Sequence, residues 1–200
     1  MIIGVDFDNT IVCYDRLFYR LASESGLVPA DIPQSKTAIR DYLRSINKEE
    51  IWTQMQGVAY GPQITDAKPF NFVKDFFSRA TKSKHTVYII SHKTLYPFEG
   101  PKYNLHQAAT NWLIHNGFFT DIDDFSEKNV FFEVTKQDKL NRIKLLNCEV
   151  FIDDLPELLN DPDFCSTTSK VLFDPNNSHS DIQNITTSTS WDNLINLLLK

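Results

Sequence analysis

The chain has 200 residues, 42% of them hydrophobic and 23% charged, the balance of one compact domain rather than of a disordered tail, a collagen-like repeat or a coiled coil. Its Lys+Arg count of 20 against 26 Asp+Glu leaves a net charge of −6, which argues against a nucleic-acid polymer or an anionic membrane surface as partner. No stretch approaches the ~18 uninterrupted apolar residues of a membrane span, and no basic segment followed by a long apolar one opens the chain, so the expected location is cytoplasmic.

A near-continuous apolar run over 2–7 reads as a strand buried on both faces. Next come a helix over 14–25 stopped by Gly26, a turn with Pro29 and Pro33, and a helix over 35–45. A further helix is expected from Asn47, with Glu50 three residues on, to Gln56 before Gly57. The helix over 69–81 carries Phe72, Val73, Phe76, Phe77 and Ala80 at helical spacing and leads into a second strand over 86–91. A helix over 104–116 ends at Gly117, a suitable left-handed cap, before a third strand over 129–134. Thr135 and Asp138 open a helix to 146; strands over 150–152 and 170–173, a polar loop over 186–190 and a helix capped by Ser190 complete the chain.

Strands alternating with helices predict an α/β fold, doubly wound and Rossmann-like, with a mostly parallel five-stranded sheet. About 75 residues separate the first two strands, far more than a crossover needs, so a small helical unit over 14–66 is inserted into a core of 1–13 and 67–200.

Several chemistries are absent from the sequence. There is no GxGxxG, GxxxxGK, HExxH or GxSxG, and Cys13, Cys148 and Cys165 form no CxxC pair. His106 and His115 point to opposite sides of one predicted helix. Asp121, Asp123 and Asp124 read as a solvated turn.

What stands out is the way the strands end. The first runs into Asp6-Phe7-Asp8-Asn9-Thr10, the second into Ser91-His92-Lys93 and the fourth into Asp153-Asp154. Ligands bind at the carboxyl ends of parallel strands, and carboxylates gathered there repel one another unless a divalent cation stabilises them; hard oxygen ligands favour Mg2+. In this order, with a lysine (Lys136 or Lys139) opening the helix after the third strand, the segments resemble the four motifs of the haloacid dehalogenase superfamily of phosphohydrolases. The insertion after the first motif is similar to that family's first class of helical cap.

The resemblance implies a role for each residue. Asp6 would be the nucleophile that forms an aspartyl-phosphate, and Asp8 the acid that protonates the leaving oxygen and then activates water. Ser91 and the lysine, with Lys139 preferred for its place within the first helical turn, would hold phosphoryl oxygens. Asp153 and Asp154 would bind magnesium together with the Asp6 carboxylate and the Asp8 main-chain carbonyl. Relatives lacking the second acid include dehalogenating and mutase-like forms, so Asp8 points to phosphate ester hydrolysis.

Thr10 and Asn9 in the loop after the nucleophile, together with Lys93, Arg40 and Arg44, are candidate substrate-binding residues. Lys36, Arg40 and Arg44 form an i, i+4, i+8 stripe that either faces an anionic substrate or lies on a solvated helix face. Trp52, Gln54, Gln56, Tyr60 and Gln63 either stack on and hydrogen-bond a sugar or base, or pack the cap.

The expected function is a magnesium-dependent phosphatase of a small phosphorylated metabolite. The alternatives are a nucleotidase or nucleic-acid-end phosphatase, for which the basic stripe would line a groove, and a non-catalytic magnesium and phosphate-binding regulatory module, which would bind without turnover.

Overall fold

In a computed structural model, which describes residues 1–179 and 182–199, the chain builds β1 (Ile2–Val5), β2 (Val12–Cys13), α1 (Asp15–Glu24), α2 (Lys36–Ser45), α3 (Glu49–Tyr60) and β3 (Lys68–Pro69). Then follow α4 (Val73–Lys82), β4 (Thr86–His92), α5 (Leu105–His115), β5 (Val130–Glu133) and α6 (Lys136–Leu145). The last elements are β6 (Val150–Asp153), α7 (Pro156–Leu159), β7 (Ser169–Phe173), β8 (Thr186–Ser188) and α8 (Trp191–Leu198). No helix among the described residues is long and apolar enough to cross a membrane.

The main sheet is parallel in the order β5-β4-β1-β6-β7-β8. The chain moves from β1 outward to β4 and β5, then returns to lay β6 on the other side of β1. This reversal opens a crevice at the carboxyl ends of the central strands. Period-two alternation divides the core: Ile3, Val5, Val87, Ile89, Val150 and Ile152 face a layer that includes α4, α5 and α8. Ile90, Phe151 and Leu172 face α6 and α7. Gly4 points to this second layer, where an added Cβ would come within 2.5 Å of the Phe151 ring, so the tight approach of β1 and β6 needs glycine.

The sheet has six strands rather than five, because 186–188 is an edge strand and not the expected loop. Thr186 and Thr187 are β-branched, and an edge strand leaves polar side chains in water, so pairing with Val171 and Leu172 needs no apolar signal. The helix expected from 69 begins only at Val73. Pro69 pairs with Val12 in an antiparallel β2–β3 ladder, and the chain turns through Phe72 at φ 66° before the helix can start.

Two further boundaries moved. Asn47 does not cap α3 but takes a positive φ of 57° two residues before it, and α3 runs through Gly57 to Tyr60. Gly57 lies against Pro97, where an added Cβ would meet the ring at 3.0 Å; it serves packing rather than termination. The caps expected at Thr135 and Ser190 form, and Ser35 and Asn104 cap their helices too; each accepts a backbone N–H from the first turn.

The helices α1 to α3 lie between β2 and β3, so the short ladder ties the two ends of this helical segment together. Their apolar faces (Phe18, Ile39, Leu43, Trp52, Ala59) join the buried core on the β1 side.

Candidate active site

Three neighbouring strand ends and one helix build the site. β1 stops at Val5, and the Asp6 N–H donates to the Ile152 carbonyl at 2.9 Å, which anchors the loop to β6. Extended alternation then turns Phe7 into the core, fully buried against Trp112 and Phe132, and leaves Asp6 and Asp8 on the other side. Asn9 takes a left-handed φ of 59°, and Ile11 and Val12 both return N–H bonds to the Phe7 carbonyl. Asparagine tolerates that conformation better than most residues, and the tight turn depends on it.

Around Asp6 the partners are specific. Ser91 on β4 donates its hydroxyl to Asp6 Oδ1 at 2.9 Å, and Lys139 Nζ donates to the same oxygen at 2.6 Å. Lys139 also reaches Asp153 Oδ2 at 2.6 Å, while the Leu155 N–H donates to Asp153 Oδ1 at 2.9 Å. Asp6 Oδ2 accepts no hydrogen bond among the described residues. Ser91, Lys139 and Asp153 are all buried. Burial works against the Lys139 charge, but Asp153 and Asp6 outweigh it and hold its pKa above the usual lysine value.

Asp154 completes a three-carboxylate group with Asp6 and Asp153, one oxygen of each lying within 4.8 Å of the others. No described donor bonds the Asp154 side chain. Burial first, then the neighbouring Asp153 and Asp6, push its carboxyl well above the ordinary range, against the pull of Lys36 and Lys139. Burial also pushes Asp153 up to about 7; Lys139 opposes this and Asp6 adds to it. Three carboxylates with one bonded lysine carry two excess negative charges when all are ionised, and all the donors are hard oxygens. The set therefore fits a divalent cation such as magnesium.

Asp8 has a separate environment. It accepts from the Tyr14 hydroxyl at 2.6 Å and from Lys93 Nζ at 2.7 Å. Burial alone would raise its pKa, but the Lys93 charge and hydrogen bond, then Tyr14 and Lys36, bring it below the ordinary aspartate value. Lys93 is 4% exposed and spent on Asp8, with its own carbonyl bonded to His106. Thr10 is fully buried; its carbonyl accepts the Trp191 indole N–H at 3.0 Å, while its hydroxyl has no partner among the described residues.

Among the expected residues, the structure gathers Asp6, Asp8, Asn9, Ser91, Lys93, Lys139, Asp153 and Asp154, and leaves two outside. Lys136 pairs with Asp161 at 2.6 Å with its side chain 55% exposed, and Arg44 pairs with Glu49 at 2.6 Å on the outer part of α2. Both obey helix phase: α6 turns Lys139 inward with Leu140 and Ile143. Arg40 lines a cavity of about 370 Å3 beside the site but bonds Asp41 with its Nε. Trp52 packs on Phe18 in the core.

Sequence reading passed over Lys36 as a single site residue. Its Nζ donates to Asn9 Oδ1 at 3.0 Å. Tyr14 and Tyr60 also border the site. The i, i+4 stripe was the available signal for Lys36, and it did not distinguish that residue from Arg40 and Arg44.

No family model matches this sequence, and no curated protein matches it. Solved structures do. A dehalogenase is similar over 100% of this chain and 97% of its own, with a TM-score of 0.60 at 10% identity. A HAD-superfamily hydrolase from Ehrlichia chaffeensis is similar over 98% of this chain and 94% of its own, with a TM-score of 0.54 at 12% identity. An L-2-haloacid dehalogenase from Xanthobacter autotrophicus, solved with chloropropionic acid covalently bound, is similar over 99% and 98%, with a TM-score of 0.50 at 11% identity. At these identities the likeness shows the fold.

Proposed function

From the fold of the haloacid dehalogenase-like hydrolases, which this chain shares, we propose that it hydrolyses the phosphate monoester of a small molecule, with Asp6 as nucleophile. The observation that carries this reading is Asp8, a second carboxylate held next to the nucleophile but apart from the three-acid group. A halide leaves carbon without needing a proton, whereas an alkoxide leaving phosphorus needs one, and Asp8 supplies a group for it.

Asp6 attacks phosphorus in line as the bond from phosphorus to the leaving oxygen breaks, giving an acyl phosphate. Asp8 donates a proton to that leaving oxygen. The incoming phosphoryl group brings negative charge beside Asp8 and so favours its protonated form, against the pull of Lys93. In the second half Asp8, now ionised, takes a proton from water, the water oxygen bonds phosphorus, and the Asp6 carboxylate is released. Lys139 and Ser91 fix Asp6 Oδ1, so that Oδ2 is the oxygen left to react, and both lie where charge builds on the phosphoryl oxygens.

Asp6, Asp153 and Asp154 would hold magnesium, with the Asp8 main-chain carbonyl as a further ligand. The bound cation supplies charge neutralisation between these acids and the phosphoryl oxygens. The adjoining cavity of about 370 Å3 suits a small leaving group.

The test is release of inorganic phosphate from an aryl phosphate, sugar phosphates and nucleotides, with magnesium or excess chelator, alongside chloride release from 2-chloropropionate. The expected result is magnesium-dependent phosphate release that Asp6→Asn lowers by more than about a thousandfold. Chloride release without phosphate release would overturn the reading in favour of a dehalogenase.

A further inference from the structure

Lys36 is the charged group whose surroundings are incomplete. Its place is fixed from both ends of its own residue: the backbone N–H donates to Asp15 Oδ1 at 2.8 Å, tying the start of α2 to the start of α1, and Nζ donates to Asn9 Oδ1 at 3.0 Å. Around the ammonium lie three rings, with the centroids of Tyr60, Phe18 and Tyr14 at 5.5, 5.8 and 5.9 Å. Among the described residues no carboxylate comes within 4.0 Å, so Lys36 makes no ion pair, whereas Lys93 has one and Lys139 two. Rings and an amide oxygen stabilise a cation without neutralising it, and a partly buried charge gains most from an opposite charge in direct contact.

The cavity of about 370 Å3 is lined by Asn9, Asp154, Lys36, Arg40 and His179, among others. Lys36 and Arg40, four residues apart, put two cations on its α2 side. The acids on its walls are otherwise engaged or outlying. Asp15 accepts the Lys36 backbone N–H, Asp174 holds His179, Asp154 belongs to the three-acid group, and Glu157 is exposed. A phosphoryl group at Asp6 already has Lys139 and Ser91 for its charge, whereas the α2 cations line the cavity that borders the site at Asn9 and Asp154.

We infer that Lys36, supported by Arg40, forms a second anion subsite, and that the substrate is a phosphate monoester whose leaving group carries its own acidic group. This rests on the hydrolase reading above and narrows its substrate class. A carboxylate and a second phosphate share the chemistry that the subsite recognises.

Two matched comparisons test it: phosphoglycerate against glycerol phosphate for a carboxylate, and fructose bisphosphate against fructose monophosphate for a phosphate. The wild type should favour the acidic member of at least one pair by about tenfold or more in kcat/KM, mainly through KM. Lys36→Met should collapse that preference, and Lys36→Arg should keep most of it. The pair showing the preference identifies the source of the anion. Equal kcat/KM for both members of both pairs in the wild type, or a preference unchanged in Lys36→Met, overturns the inference.

Titrating the same compounds into Asp6→Asn, with and without Lys36→Met, separates the subsite from turnover. If the wild type hydrolyses nothing, the hydrolase reading fails. A preference for binding the acidic member that disappears with Lys36→Met still supports the subsite, and binding without preference removes it.

Discussion

At the sheet edge the lysines are paired, Lys139 with Asp6 and Asp153, and Lys93 with Asp8, each at 2.6 or 2.7 Å. At the start of α2 Lys36 rests against three rings and an amide instead. The difference separates two jobs. A network that is closed without ligand holds reacting groups in place before substrate arrives, and its loss damages the fold as well as the chemistry. Asp154 and Asp8, acting from beyond contact distance, help keep the Lys36 charge against burial, and a cation with no carboxylate in direct contact is left to bind an arriving anion.

The largest effect on stability should follow from breaking the closed side. Lys139→Met leaves two buried carboxylates without their cation and is expected to cost about 3–5 kcal/mol in urea unfolding with chelator present. Magnesium should recover part of that loss, because the same carboxylates bind it. Unfolding that is unchanged in Lys139→Met would show that the sheet edge does not depend on this pairing.

The response to pH sharpens the same contrast. The Asp153 carboxyl, raised from 3.8 to about 7 by burial, favours folding fully below its ordinary pKa and loses that contribution as pH rises through about 7. Wild type without metal should therefore lose Tm relative to Asp153→Asn between about pH 4 and about pH 7, and magnesium should reverse the trend for wild type alone. A constant Tm difference across this range would contradict the assignment.

Lys93→Met tests the other closed pair through rate. Lys93 holds Asp8 below the ordinary aspartate value against burial, so removing its charge should move the acidic limb of the pH–rate profile to higher pH. An unmoved limb would mean that Asp8 does not set it. The smallest effect belongs to the open side. Ser35→Ala removes the hydroxyl that accepts the Ala38 N–H and should cost about 1 kcal/mol, with the loss of affinity confined to acidic leaving groups.

The central strands were legible because burial on both faces leaves an uninterrupted apolar run, and the polar residues that end such runs stand out. The edge strand Thr186–Ser188 carries no such signal, since water covers much of it. In the site, the gathering of Asp6, Ser91 and Asp153 was legible from their places at the carboxyl ends of apolar runs and from the motif resemblance. The choice between Lys136 and Lys139 did not, because both lie in the first turn of α6 and only packing against β4 and β6 separates them. Lys36 was obscured for a different reason. Its stripe is continuous with Arg40 and Arg44, and only the backbone N–H that Lys36 donates to Asp15 and the Nζ bond to Asn9 show which of the three is turned toward the site.

The most direct measurement is chemical trapping of Asp6. Asp8→Asn should slow breakdown of the covalent intermediate more than its formation when the leaving group is a good one, such as an aryl alcohol. After incubation of Asp8→Asn with magnesium and an aryl phosphate, an acid quench and peptide mass analysis should find a phosphoryl group on Asp6 and on no other residue. Phosphate release without any adduct on Asp6, or an adduct that persists in Asp6→Asn, would contradict the account.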